Sequence, residues 1–531
     1  MKNAKWIFFM ATLIFGIIAI QACKTYYFRS NYQDANTLLH DSQNMQTKLF
    51  LKAHLINGDV CILENTWEVD TNKNLVSGNG IRYDFNRVQT YQGNMAIPFD
   101  SVSIFETNKK IVKPEAGRIA ALTILLAVNS VVGVYCIVVP KACFGSCPTF
   151  YINEKDDFHY ADAEGFSNAI APSMEYSDID ALNNKTLSDN SFSITMKNEA
   201  LETHCLNEVK LLAYPRKKGE RIYQSPDNNF YLCENNYSIS SATGTEGDLT
   251  SLLKYEDRQE RFSPADGHNL SSKEEIYLDF DDVRNQNDLG LIVNFRQTLM
   301  TTYFIYSAMG YMGDEVGDIF AKMERSSETS DKLKNGIKKE LGDIDVYLWN
   351  EQETTWELQG GIYETGPIAI NRQILPLVNG SSNSKIKLKL VLNKGLWRID
   401  YLSLTNVKEK VSPTEISPSS ILNKGKIDNE ARASLNKSGK YLISMPGSEY
   451  KFNFTLPEQN VDYELFLQSK GYYLEWMREH WIKDKDLLKL RQMVENPKKY
   501  LEVEANDFKR YEATMEDIFW SSKIDTKSFS N

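Results

Sequence analysis

The chain has 531 residues, of which 60 are lysine or arginine and 71 are aspartate or glutamate, so its formal net charge is −11. Such an acidic chain has no basic face to neutralise phosphate groups, and this argues against nucleic acid as a partner. At roughly 100 to 200 residues per domain, the length predicts about three domains that each bury their own core.

The N-terminus has the three parts of a secretory signal peptide. Lys2 and Lys5 form a positive region, an apolar run covers residues 6–20, and the small Ala22 precedes the expected cleavage point. The run is short for a membrane span of about 20 residues, although an uncleaved anchor stays as the alternative. We therefore predict that residues 1–22 are a lipoprotein signal peptide.

The sequence Ile20-Gln21-Ala22-Cys23 resembles a bacterial lipobox, with an aliphatic residue three positions before a cysteine and a small residue directly before it. Gln21 departs from the small or hydroxyl residue usual there, so an ordinary cysteine is the alternative. We expect a palmitate-type lipid on Cys23 that attaches the chain to a bacterial membrane, with residues 23–45 as a tether. No acidic cluster follows Cys23, which favours a periplasm-facing position in the cell envelope.

Besides Cys23 the chain has an even set of cysteines, as exported proteins with disulfides often do: Cys61, Cys136, Cys143, Cys147, Cys205 and Cys233. Between Cys143 and Cys147, Gly145 favours a turn, as does Pro148 directly after them. Such a turn brings two Cα atoms within the roughly 4.4 to 6.8 Å that a disulfide needs. The sequence predicts a disulfide between these two residues and leaves the other pairings open.

Residues 46–112 have the pattern of a small β domain. Asn57-Gly58 lies between two apolar runs, which is the strongest short-range signal for a hairpin. Further strands are predicted at 80–88 and 100–106.

Residues 113–140 contain an apolar segment, Ile119 to Val139, whose 21 residues include no charge and are long enough to cross a bilayer. The lysine and arginine bias before the segment would place the preceding residues in the cytoplasm, which contradicts their export. A buried hairpin or core helix is therefore the favoured interpretation, and a membrane span is the alternative.

The next predicted regions are a β domain at 141–240 and a polar linker at 241–275. Within the β domain, residues 191–196 alternate apolar with polar side chains, as a half-buried strand does.

Residues 276–345 are predicted as a strand and helix segment. Its strands are expected at 276–280 and 289–295, and its helix at 297–312.

Residues 346–461 are predicted as another β domain. One strand there has alternating buried positions: Ile386, Leu388, Leu390 and Leu392. With a turn at 393–395 and a returning strand at 396–404, this pattern predicts a second hairpin. Further strands are predicted at 440–445 and 450–456.

Residues 462–531 are predicted as a helical C-terminal element. One helix is expected around 474–494 and must end before Pro497. A second carries an apolar stripe at helical spacing: Leu501, Ala505, Phe508, Met515 and Phe519. The whole chain is predicted to be a β-rich, multidomain α+β protein with antiparallel sheets in sandwich-like domains.

Three stretches, residues 144–151 (FGSCPTFY), 163–172 (AEGFSNAIAP) and 198–204 (NEALETH), resemble segments of an uncharacterised family of exported bacterial proteins. The resemblance covers about residues 140–210, and it implies neither a reaction nor a ligand.

The sequence has few residue patterns that indicate catalysis or metal binding. The histidines are too scattered for a zinc motif: His40, His54, His159, His204, His268 and His480. In a strand, His204 and Cys205 point to opposite faces, so His204 is interpreted as a satisfied histidine on a β surface.

The densest acidic cluster does not match a calcium loop and is interpreted as a solvated loop: Asp279, Asp281, Asp282 and Asp288. Ser146 lacks the glycine pattern of a hydrolase nucleophile, and Cys143 and Cys147 lack the Cys-x-x-Cys spacing of redox sites. No catalytic residue, metal or cofactor is therefore predicted.

Tryptophan and tyrosine are abundant, and exposed aromatic ladders on sheets can stack sugars. Four tryptophans lie in apolar patterns and are assigned to the core: Trp356, Trp397, Trp476 and Trp481.

The N-terminal export signal and the lack of a catalytic motif in the sequence predict a lipid-anchored envelope lipoprotein. We expect it to be a non-catalytic binding or structural module for a partner protein or a glycan. One alternative is an envelope hydrolase with a carboxylate pair, for example Glu364 with a distant Asp. The other is an integral membrane component that spans at 119–139.

Overall fold

The computed structural model describes residues 25–32, 38, 48, 50–55, 59–83, 89–112, 147–152, 160–170, 174–182, 190–200, 202–284, 288–313, 316, 319, 336–363, 366–378, 384–435, 440–445, 447–459, 461–475, 484–521 and 523. It contains two compact units, Met1–Pro140 (unit 1) and Lys141–Asn531 (unit 2). Both are built from largely antiparallel sheets, and unit 2 ends in helices. The fold is β-rich α+β, as predicted.

The described strands of unit 1 form one sheet: β1 Thr25–Tyr32, β2 Leu51–Leu55, β3 Val60–Leu63, β4 Glu68–Asp70, β5 Leu75–Tyr83, β6 Gln89–Pro98 and β7 Val102–Val112. Their order is β1-β7-β2-β3-β5-β4, and β6 also pairs with β5. A 3₁₀ turn at Phe99–Ser101 joins β6 to β7. Trp67 is fully buried in the core of this sheet. At Gly80 any Cβ would come within 2.2 Å of the Ile62 carbonyl oxygen, so this strand position needs glycine.

The pairing of β2 with β3 confirms the first predicted hairpin, whose turn lies outside the described residues. Part of the predicted tether, however, is a strand, because β1 pairs with β7 along its whole length. Pairing satisfies the backbone N–H and C=O groups of β1 that face β7, and polar composition alone does not reveal such a partner.

The strands described in unit 2 are β8 Thr149–Tyr151, β9 Ala163–Glu164, β10 Tyr176–Leu182, β11 Ser191–Lys197, β12 Glu202–Arg216, β13 Glu220–Gln224, β14 Phe230–Ser238, β15 Ser241–Gly244, β16 Gly247–Asp248, β17 Arg261–Phe262, β18 Lys273–Phe280, β19 Leu289–Gln297, β20 Ile344–Asn350, β21 Thr355–Ile362, β22 Asn371–Pro376, β23 Ile386–Asn393, β24 Trp397–Val411, β25 Thr414–Ile416, β26 Ser420–Asn423, β27 Lys426–Ile427, β28 Leu442–Ser444, β29 Glu449–Thr455 and β30 Asp462–Glu475. Its named helices are α1 Thr250–Leu253, α2 Met300–Met312, α3 Asn429–Leu435, α4 Leu487–Glu495 and α5 Pro497–Ser521.

Four sheets arise from these strands. Sheet 2 has the order β10-β30-β12-β25 with β28 also on β12, and sheet 3 has the order β27-β26-β29-β11-β8-β9. Sheet 4 has the order β14-β13-β22-β19-β24-β17, and an additional pairing of β14 with β24 closes five of its strands into a ring. Sheet 5 has the order β16-β15-β18-β23-β20-β21.

The predicted hairpin after residue 385 is wrong, although both of its strands exist. β23 pairs with β18 and β20 in sheet 5, whereas β24 pairs with β14, β17 and β19 in sheet 4. The chain crosses between the sheets at Gly395, where φ is +81° and a Cβ would lie 2.5 Å from the Ala265 Cβ. An arch between two sheets and a hairpin within one have the same alternation, because each strand buries one face in both cases.

Residues 462–475 form β30, not the start of a helical element. β30 lies between β10 and β12, and Leu465, Phe466 and Leu467 are all buried. A central strand covered on both faces has consecutive apolar residues, which periodicity cannot tell from a buried helix. The predicted first helix begins only at Leu487 and ends at Glu495, before Pro497 as expected.

Residues 241–275 are also structured where a linker was predicted. They contain β15, β16, β17 and α1, and Leu249, Leu253 and Leu270 are buried. Leu249 and Leu253 have helical spacing, but the pattern covers a single turn within a polar stretch and was therefore too short to predict an element.

Several elements are confirmed: β11, β18, β19, α2 and the apolar face of α5, whose five predicted residues are all buried.

Candidate functional site

The three stretches that resemble exported bacterial proteins meet in one part of unit 2. Their described residues are 147–151, 163–170, 198–200 and 202–204. β8 pairs with both β9 and β11, and the third stretch connects β11 to β12. The stretches therefore form one cluster, although they are distant in sequence.

Cys147 is fully buried in this cluster. Its thiol donates to Oε2 of Glu164 at 3.5 Å and accepts a hydrogen bond from Oγ of Ser167 at 3.2 Å. Tyr473 on β30 donates its hydroxyl to the Ser167 carbonyl oxygen at 2.9 Å. Cys143 lies outside the described residues, so the predicted disulfide stays a prediction.

His204 is fully buried instead of lying on a β surface, because both faces of β12 are covered. Its Nε2 is 2.6 Å from Oε1 of Glu202, and its Nδ1 has no hydrogen-bond partner within the described parts of the chain. Burial lowers the pKa of His204 to about 3, so the imidazole is neutral. The short contact then assigns the proton to Nε2, which donates to Glu202.

This buried cluster has no room for a ligand. The neighbouring cavity, lined by Ser167, Thr301, Tyr306 and Tyr473 among others, has a volume of about 10 Å³. A single water needs roughly 10 to 15 Å³. The Cys147 and His204 cluster is therefore part of the packed interior.

A larger opening lies on sheet 4. Asn294 on β19, Arg372 on β22 and Asp400 on β24 line it, together with Glu256 and Arg258 from the loop after α1. We call it the Asp400 cleft; Ile370 and Asn371 complete its lining. Its volume of about 200 Å³ is below the roughly 300 to 1,000 Å³ of pockets for drug-sized ligands, so it fits a small group or one end of a longer molecule.

A β-bulge directs Asp400 into this cleft. Asn294 pairs with Tyr401 and the next residue, Phe295, pairs with Ile399, so Asp400 is the extra residue between them. Bulges re-aim side chains and are common beside active sites.

The carboxylate of Asp400 is only 2% exposed, and its Oδ1 has no hydrogen-bond partner among the residues that the structure describes. The carboxylate accepts a hydrogen bond from the backbone N–H of Arg258, whose φ is +66°. The pKa of Asp400 is raised to about 6, mainly by burial and also by the nearby Glu256, Glu260 and Asp257, while the hydrogen bond from Arg258 lowers it. A strained loop residue and an incompletely bonded buried carboxylate therefore occur together.

The other polar groups of the cleft are held by one another. Arg372 donates from Nε to Oδ1 of Asn294 at 3.1 Å and forms an ion pair with Glu256. Asn371 Oδ1 accepts from the backbone N–H groups of Ala181 and Arg372. Among the buried side-chain atoms of this lining that the structure describes, Oδ1 of Asp400 is the acceptor without a hydrogen-bond partner.

The Asp400 cleft was not predicted from the sequence. The one available signal was an acidic residue inside the apolar run Trp397 to Leu404, at a position that a sheet covers. Neither the bulge nor the partners of Asp400 follow from local sequence, because Glu256, Asn294 and Arg372 come from distant segments.

Other predicted site residues give no second site. Cys23, Ser146 and Glu364 lie outside the described residues, as does the segment 119–139. In the predicted acidic cluster, Asp281, Asp282 and Asp288 are exposed, and no group of described residues is arranged to hold a metal ion.

Cys61 and Cys233 are buried thiols, with pKa values that burial raises to about 11 and about 12. Neither is a reactive nucleophile at neutral pH.

Aromatic residues do lie on the outer face of sheet 5. The Trp356 ring is 5.2 Å from Trp349 and 5.8 Å from Tyr277, which is 42% exposed. Trp397 is buried in the core as predicted, whereas Trp356 is half-buried on this face; Trp476 and Trp481 lie outside the described residues.

No protein-family model matches the chain, and a search of curated proteins finds no relative. Among the described residues, no helix is both long and apolar enough to span a bilayer.

Proposed function

We propose that this chain is an exported bacterial lipoprotein, attached to an envelope membrane by a lipid on Cys23, whose unit 2 binds a small polar group in the Asp400 cleft. The binding role rests on the buried Oδ1 of Asp400, which has no hydrogen-bond partner among the described residues, in a residue that lines an open volume of about 200 Å³. An unsatisfied buried carboxylate costs stability, so its retention fits a group that a ligand completes.

The membrane address rests on the N-terminal sequence. Lys2 and Lys5, the apolar run to Ile20 and the lipobox-like residues before Cys23 support it. Acyl-chain labelling and membrane fractionation of bacterial cells that make the wild type or the Cys23→Ser variant test it. We expect the variant to lose both the label and membrane attachment. An unlabelled wild-type protein that stays in the membrane would instead indicate an uncleaved signal anchor or a span at 119–139.

The binding role is tested by a thermal-shift screen of small amines, sugars, amino acids and carboxylates against the wild type and Asp400→Asn. We expect at least one class to raise the melting temperature of the wild type and not that of the variant. If no class distinguishes the two proteins, the cleft is not a ligand site.

A hydrolase is the second candidate, and one observation favours it. Asp400, whose pKa of about 6 suits a general acid, shares the cleft with the carboxylate of Glu256. Hydrolysis of chromogenic glycosides that is lost in both Asp400→Asn and Glu256→Gln would support this function.

A further inference from the structure

We propose that the Asp400 cleft takes the ammonium group of a primary amine, which donates a hydrogen bond to Oδ1 of Asp400. This inference rests on the proposed binding role of the cleft and names the chemistry of its ligand.

Most side-chain hydrogen-bond acceptors of the cleft lining already have partners, whereas Oδ1 of Asp400 has none among the described residues. Asn294 Oδ1 accepts from Arg372, and Asn371 Oδ1 accepts from two backbone N–H groups. Glu256 is ion-paired with Arg372. At Asp400 the ligand therefore meets an acceptor, which requires a donor group on the ligand at that point.

The charged residues around Asp400 bear on the charge of its ligand. Glu256, Asp257 and Glu260 belong to the loop that covers Asp400, and each disfavours its ionised form. Of the arginines that line the cleft, Arg372 is engaged by Glu256, while Arg258 contributes its backbone N–H to Asp400 and has an exposed side chain. Arg398, two residues before Asp400, pairs with Glu516. Glu260 is itself paired with Arg296. A cation beside Asp400 is attracted by its carboxylate, whereas an anion is repelled by it.

Bonding requirements separate an ammonium group from a metal ion and from a neutral alcohol. A calcium ion needs six to eight oxygen ligands, and Asp400 supplies a single available one. An ammonium group needs only one strong acceptor, and it adds a positive charge to its hydrogen bond with the carboxylate, which a neutral hydroxyl does not.

The test is calorimetric titration of the full-length, detergent-solubilised protein with ethylamine at pH 7.5 and pH 5. Ethanol and calcium chloride serve as probes of the competing chemistries. We expect ethylamine to bind more tightly at pH 7.5, by about tenfold, because a carboxyl with a pKa near 6 is mostly ionised there and mostly protonated at pH 5.

Binding should be lost in Asp400→Asn and kept in Asp282→Asn, a matched control on an exposed loop where Asn tolerates the positive φ of 57°. Should Asp400→Asn fail to fold, the pH dependence of the wild type decides the question by itself.

Three amines then distinguish the possible sources: cadaverine for a polyamine, N-acetyl-lysine amide for a protein side chain, and glucosamine for an amino sugar. The tightest of them identifies the source. Binding that is equal at both pH values, or preference for ethanol or calcium, overturns the inference and leaves the proposed binding role intact. Failure of every probe here and in the thermal-shift screen contradicts both.

Discussion

Arg296 and Asp400 are buried charged residues on neighbouring strands of sheet 4, and the same loop serves both. The guanidinium of Arg296 donates to Glu260 at 2.7 Å, to Glu516 at 3.3 Å and to the Pro367 carbonyl oxygen at 3.0 Å. Asp400, in contrast, lines an open cleft, and one of its oxygens has no partner within the described ranges of the chain.

The hydrogen-bond partners of a buried charged residue indicate whether it stabilises the fold or is available to a ligand. Every partner of Arg296 fixes an element: Glu260 holds the loop, and Glu516 holds α5 against the sheet. In the part of the chain that the structure describes, the hydrogen bond to Asp400 comes from the backbone of Arg258. Substitutions should therefore affect stability in opposite directions at the two positions.

The largest effect is expected for Arg296→Met. Removing the guanidinium leaves Glu260 and Glu516 without their buried cation and should lower the free energy of unfolding by roughly 3 to 5 kcal/mol. Denaturant unfolding measures this change. The exposed pair of Arg491 and Glu495 supplies the control, and Arg491→Met should not move the midpoint. Equal behaviour of the two variants would contradict a structural role for Arg296.

His204→Ala should have the next largest effect, a loss of about 3 kcal/mol at pH 7.5, because it removes a buried donor to Glu202 and leaves a cavity. Burial holds the pKa of His204 at about 3, below its unfolded value of about 6.5. Its stabilising contribution is therefore present above pH 6.5 and lost as the pH falls towards 3.

The difference in the free energy of unfolding between the wild type and His204→Ala should accordingly become smaller from pH 7.5 to pH 4.5. The exposed His268 is the control, and His268→Ala should leave the denaturation midpoint unchanged. A gap that widens in acid would show that His204 is charged in the folded protein.

The smallest change, and the one of opposite sign, is expected for Asp400→Asn, which should stabilise the protein by about 1 to 3 kcal/mol at pH 8. The pKa of Asp400 is raised to about 6 in the folded state, so its favourable contribution is complete below about pH 3.8 and lost as the pH rises through 6. The stabilisation by Asp400→Asn should therefore be smaller at pH 4.5 than at pH 8. A loss of stability at pH 8 would mean that Asp400 is a structural residue like Arg296.

Regular local patterns were enough to predict much of the fold. Asn57-Gly58 between apolar runs, the alternation of β11 and the stripe of α5 each record a single buried face, and the structure confirms all three. Position within a sheet is not a local property. β23 and β24 were therefore assigned to one hairpin although they belong to two sheets, and β30 was read as helix because both of its faces are covered.

The candidate site was the least predictable part. Asp400 becomes notable only because a bulge opposite Asn294 and Phe295 places its side chain at a cleft that distant segments line. The β-rich class and the helical end follow from the sequence, since the spacing of apolar residues is a local property, and the lipoprotein-type address of the N-terminus stays a prediction. Which buried charges are neutralised, and which keep an atom without a partner among the described residues, depends on the tertiary structure, because desolvation and pairing involve residues brought together from across the chain.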